Sequence, residues 1–261
     1  VYVRPTLPEQ VFTDPEGIPI PYGARWGAGG APERTYSLTR HPERFAPLVD
    51  IADALVAHLE ATYDVDVHTT EGLPDDAPDG LRRYEHGQVR VARTITLMPR
   101  HRMSAPLVIA ETTFPSVVIA MGAVGLESSP PCGCDACDES LEFCADELEN
   151  LVFSVVHGRY QERYSWSEGI QTSLAGEWGA RSSTTPRSAA AKEDLEAVRQ
   201  SQRERHGARW MPWPPKRDDA AVAADDAPAA ASRYGRLLTR AEREAAIEHA
   251  IERIKQRLRS A

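Results

Sequence analysis

Between Gln88 and Gly122 the chain runs through three strand-like segments in close succession, and no other stretch constrains the fold as much. In Gln88–Met98, the side chains of Val89, Val91, Arg93, Ile95 and Leu97 share a face; in Pro106–Phe114, those of Leu107, Ile109 and Glu111 do; Ser116–Gly122 follows directly. A two-residue period is that of a β-strand, whose successive side chains point to opposite faces. A symmetric hairpin about Arg100-His101-Arg102-Met103 then sets Leu97 opposite Leu107, Ile95 opposite Ile109 and Arg93 opposite Glu111. The last pair has two readings. It is a cross-strand ion pair near the sheet margin, worth a fraction of a kcal/mol if exposed, or Glu111 is a carboxylate of altered pKa beside Arg93 in a small-molecule enzyme pocket.

Two helices flank these strands. Pro42 sits near the start of the first, where Leu48, Ile51, Ala52, Leu55, Val56 and Leu59 recur on one face. It is predicted to end near Tyr63, where Asp64–Thr69 takes up the strand period. The second spans about Asp138–Tyr160, with Leu141, Cys144, Leu148, Leu151, Val152, Val155 and Val156 as its apolar stripe. Asp75–Gly80 reads as a polar loop, and Ser165–Ser183 as a loop or short irregular strands. The expected fold is therefore α+β: an antiparallel sheet of three to four strands packed by the helices near 43–63 and 138–160, with a helical C-terminal tail.

Five regions are expected along the chain. Residues 1–36 form a Pro/Gly-rich arm whose Phe12, Tyr22, Trp26 and Tyr36 call for burial on the domain, or else a lid hinged at Gly29-Gly30. Residues 37–183 make the core domain. Residues 184–215 carry a helix over about Ala189–His206, then Trp210-Met211-Pro212-Trp213-Pro214-Pro215, which docks on its own domain or on a partner. Residues 216–235 are an Ala/Asp-rich flexible linker. Residues 236–261 are an amphipathic helix with Leu238, Ile247, Ile251, Ile254 and Leu258 in a narrow stripe and Thr239 and Glu242 as a capping box. That helix is the place for an unidentified protein partner.

Of 261 residues, 41% are hydrophobic, too many for wholesale disorder, and the net charge is −9. The charge is uneven: residues 1–180 carry 13 basic and 27 acidic side chains, residues 181–261 carry 17 and 12. Nucleic acid is thus an unfavourable partner for the core domain, because phosphate is held by clustered Lys and Arg; the basic tail is free of this exclusion. The opening residues lack the basic and apolar regions of a signal peptide, and Val117–Leu126 is too short for the ~20 residues of a membrane span. A cytoplasmic protein is expected.

All four cysteines fall in one short segment, Cys132-Gly133-Cys134-Asp135-Ala136-Cys137 with Cys144 beyond. In a cytosolic chain such clustering points to metal or redox chemistry before disulfides. Thiolates suit Zn(II), and a structural site takes four ligands in a tetrahedron. Cys132, Cys134, Cys137 and Cys144 are the candidate set, with a structural zinc as the candidate cofactor. Cys144, however, lies on the apolar stripe, where a free cysteine behaves as a small hydrophobe. His157 is no substitute, since thirteen helical residues separate it from Cys144 by about 20 Å. Three readings stand open: a structural Zn(II), unliganded cysteines at a helix start, and redox or iron–sulfur chemistry. A catalytic thiol is disfavoured, because Asp135, Asp138 and Glu139 offer no cation to lower its pKa. The eight histidines are scattered and form no ligand pair, and no glycine run matches a phosphate loop.

The segments Tyr22-Gly23-Ala24-Arg25-Trp26-Gly27, His41-Pro42-Glu43-Arg44-Phe45-Ala46-Pro47-Leu48, Asp53-Ala54-Leu55, Tyr63-Asp64-Val65 and Cys132-Gly133-Cys134-Asp135-Ala136-Cys137-Asp138-Glu139 together resemble an uncharacterised actinobacterial family, a domain of unknown function, over roughly residues 20–215. The resemblance implies a bacterial cytoplasmic origin and no catalytic residues. The expected function is that of a non-catalytic binding or regulatory module.

Overall fold

In a computed structural model of the chain, described over residues 1–27, 29–85, 89–176 and 179–216, the three central segments form adjacent strands of a larger sheet. Strands β1 (Val65–Glu71), β2 (Val91–Pro99), β3 (Leu107–Thr112), β4 (Val117–Met121) and β5 (Gly125–Ser129) pair antiparallel in chain order. Across β2 and β3, Leu97 faces Leu107, Ile95 faces Ile109 and Arg93 faces Glu111, the register expected from the hairpin.

The sheet is buried on both sides at its centre, which explains the nearly continuous apolar runs of β3 and β4. One face, with Ile95, Leu97, Leu107, Ile109, Val117 and Ile119, packs against helices α1 (Leu48–Thr62) and α3 (Leu141–Val156). The other, with Val108, Ala110, Val118 and Ala120, is covered by Leu81 of the short helix α2 (Asp79–Tyr84). A register shift between Val91 and Arg93 places Val91 in this second cluster although its parity matches Ile95. Helix α2 begins at Asp79, within the last two residues of the loop expected at Asp75–Gly80.

The expectation of one three- to four-stranded sheet under two helices is corrected. There are two antiparallel sheets among the described residues, and four α-helices; the class α+β holds. The second sheet consists of β6 (Tyr160–Ser165), β7 (Gly169–Gly176) and β8 (Gly179–Thr185). It escaped the hydrophobic pattern because its residues are largely Gln, Arg, Ser and Thr, and β8 is almost wholly exposed. Gly125–Ser129 escaped for a similar reason, its Gly, Glu and Ser being poor strand formers. Helix α4 (Lys192–Glu204) closes the free edge of β6. The Tyr164 N–H donates to the Gln202 side chain at 3.0 Å, and the Glu162 carbonyl accepts from the Arg205 guanidinium at 3.5 Å.

Val1–Lys216 is one compact unit. Within it Trp210 and Trp213 are buried; the Trp213 indole N–H donates to the Ala105 carbonyl at 2.9 Å, and its backbone N–H to that of Val156 at 2.8 Å. Gly158, at φ +68°, lets this segment cross the end of α3, since a Cβ there would lie 2.7 Å from the Pro212 nitrogen. The linker expected at 216–235, apart from Lys216 itself, and the terminal helix expected at 236–261 lie outside the described residues. No helix among those described is long and apolar enough to cross a membrane.

Candidate metal centre

The turn between β5 and α3 gathers three of the four cysteines. The sulfurs of Cys132, Cys134 and Cys137 all lie within 4.8 Å of one another, with Cys134 buried and the other two exposed. Tetrahedral zinc with ~2.3 Å bonds to sulfur sets its ligands ~3.8 Å apart, so small side-chain rotations would close the set around an ion. Cys144 is not brought to this group. It sits fully buried in the main core, with burial and the Glu139 carboxylate pushing its thiol up to about 12. Its position on the apolar stripe decided this, because side chains on that stripe turn toward the sheet.

Within the turn, burial disfavours the Cys134 thiolate, but the N–H groups of Cys137 and Ala136 and the neighbouring thiols donate to its sulfur and lower its pKa overall. Burial and the sulfurs of Cys134 and Cys132 push Cys137 up to about 12.

The carboxylate oxygens of the turn are committed elsewhere except Asp135 Oδ2, which is buried without a hydrogen bond and faces the guanidinium groups of Arg25 and Arg40 at 3.7 and 3.8 Å. Asp135 accepts the Arg40 N–H at 2.9 Å, and its carbonyl accepts from Arg25 at 2.7 Å and from the Trp26 indole at 3.0 Å. Asp138, held at φ +56°, takes the Arg25 N–H at 2.8 Å and the Arg25 Nε at 3.0 Å. Glu139 reaches back to the N–H groups of Gly133 at 2.6 Å and Cys132 at 3.3 Å. Beneath them Arg44, 1% exposed, lies between the rings of Tyr22 and Phe45 and donates to the carbonyls of Arg40, His41, Gly133 and Glu139. The segments 22–27, 41–48 and 132–139 are therefore one assembly, in which arginines of the arm and of the α1 approach hold a cysteine-bearing turn. Sequence reasoning had the segments but not their union, and it missed Arg44, whose burial no periodicity marks.

Arg93 meets Glu111 as the register requires, its Nε donating at 3.0 Å, but it also binds Asp53 of α1 at 2.6 Å. The pair is thus a clamp between sheet and helix. Clefts open elsewhere: one of about 620 Å³ by the second sheet and the end of α4, and one of about 350 Å³ between the arm and α3; neither includes Arg93 or Glu111. A second buried polar knot also escaped sequence reasoning. The Glu162 carboxylate, 4% exposed, accepts from the N–H groups of Ala123 at 2.9 Å and Val124 at 3.1 Å, the Tyr160 hydroxyl at 2.8 Å and the Ser201 hydroxyl at 3.3 Å. It ties the β4–β5 turn to the second sheet and α4.

No curated protein and no solved structure matches the chain. A family match does exist, over residues 8–217, and it spans every segment of the assembly just described: the chain belongs to the family of unknown function DUF6226.

Proposed function

We propose that this chain is a non-catalytic, cytoplasmic binding or regulatory module in which Cys132, Cys134 and Cys137 hold one Zn(II) that locks the β5–α3 turn. The observation that carries the reading is the convergence of three sulfurs within 4.8 Å on a turn where both oxygens of Asp138 and of Glu139 are already hydrogen-bonded. Thiolates of this kind suit zinc, and fixing them would brace the start of α3 against the arm. The clamp of Arg93 between Glu111 and Asp53 supports a structural role for that pair over a catalytic one. Partner contact is assigned to the basic region 181–261, whose charge is opposite to that of the rest of the chain.

The test is metal analysis of the full chain purified without chelator. One zinc per chain is expected, lost in Cys134→Ser. Wild-type protein that carries no metal and takes up none on dialysis against zinc refutes the reading.

A further inference from the structure

We infer that the metal centre is held by three protein thiolates only and keeps one coordination position for a small exogenous ligand, a thiolate or an imidazole. This rests on the metal reading above and adds what the fourth ligand is. The first support is the donor count: among the described residues the group comprises Cys132, Cys134 and Cys137, with no fourth cysteine, histidine or carboxylate among them. The second is where the remaining cysteine went. Cys144 is fully buried within the α1–α3–sheet core, so bringing it to the turn would mean unpacking α3.

The third support is the state of the nearest carboxylates. Both oxygens of Asp138 receive hydrogen bonds from Arg25, both oxygens of Glu139 receive backbone N–H groups of the turn itself, and Asp135 faces Arg25 and Arg40. Turning Asp138 or Glu139 onto the ion would leave buried arginine or amide donors unpaired, and turning Asp135 would free the Arg40 N–H that its Oδ1 accepts, although its Oδ2 has no hydrogen-bond partner. The fourth support is access. Cys132 and Cys137 are exposed, so the side of the cluster they border is open to solutes.

Closed structural zinc sites use four protein ligands, whereas three protein ligands plus water define a site at which exchange occurs. Binding of a thiol there replaces the bound water: a sulfur–metal bond forms, the metal–oxygen bond breaks, and the thiol proton passes to solvent. No electron changes hands. The three-thiolate donor set favours soft ligands in that position.

Cobalt(II) reports the outcome, since it adopts the same tetrahedral thiolate geometry and its d–d bands follow each ligand. The full chain is loaded with cobalt without oxygen, then titrated with imidazole and, separately, with 2-mercaptoethanol. The expected result is a saturable shift of the d–d bands by each ligand at one equivalent per metal, the same in Cys144→Ser as in wild type. Bands that do not move with either ligand, or that change in Cys144→Ser, overturn the open position while leaving the metal reading intact. Failure to take up cobalt at all overturns both. A shift that follows protein concentration, with two chains per metal, shows a donor from a second copy and also overturns the proposal.

Discussion

Replacing Arg44 by Met tests whether the assembly around the cysteine turn depends on one buried guanidinium. Arg44 donates at 3.3 Å to the Glu139 carbonyl, at 2.6 and 3.1 Å to those of Arg40 and His41, and at 3.2 Å to that of Gly133. Its Cζ lies 4.1 Å from the Tyr22 ring centre and 4.0 Å from that of Phe45. Met fills much of the same volume but donates nothing. At about 1–3 kcal/mol for each carbonyl left dry, and with half of the four reaching water, the loss is about 2–6 kcal/mol. That is a large part of a typical total of about 5–15 kcal/mol. The chain is of a size for which each kcal/mol moves Tm by roughly 2–4 °C, so a fall of about 10 °C is expected. Arg44→Lys keeps the charge and reaches fewer carbonyls, and it should recover about half of the loss. Urea unfolding followed by circular dichroism supplies the midpoints. An unfolding free energy for Arg44→Met within ~1 kcal/mol of wild type would show the four carbonyls to be hydrated without Arg44 and would refute the reasoning.

Two further predictions concern the rest of the fold. Trp213→Ala removes a buried indole and its bond to Ala105, and should cost about 3–5 kcal/mol and expose the 210–216 segment to protease; unchanged stability in a thermal melt would count against docking. Burial raises the pKa of Glu162 above the ordinary carboxyl value, so the folded state holds that proton more tightly than the unfolded chain. Stability from this group is present below the unfolded pKa of ~4.3 and is lost as pH rises through the folded value, so Glu162→Gln should gain on wild type over that window. Parallel pH profiles of the urea midpoint for the two proteins would dismiss the idea.

Where one face of an element was apolar and the other was not, the chain was legible. The helix stripes from Leu48 to Leu59 and from Leu141 to Val156 are buried except at Val56 and Leu141, which pack half-buried against the same core, and the pairing of Ile95 with Ile109 follows from the strand period. Where both faces are polar, as in Gly179–Thr185, no period exists to be read, and Ser165–Ser183 could be read only as a loop or short irregular strands. The site divided in the same way. The spacing of Cys132, Cys134 and Cys137 announced a cluster, and the helical phase of Cys144 warned that it belonged to the core. What the phase could not say was which of the two claims on Cys144 would prevail.

By itself the sequence determined the local features: the strand register about one hairpin, the two core helices, the cysteine turn and the reversal of charge along the chain. These depend on residues a few positions apart, where backbone geometry alone dictates which side chains meet. Only the tertiary structure decided that three cysteines gather while the fourth is buried, that Arg25 and Arg44 hold the turn, and that Arg93 bridges to Asp53. The contacts of those two arginines with the turn join residues as far as 89 to 113 positions apart, and burial of a charge is settled by the donors and acceptors that folding brings around it.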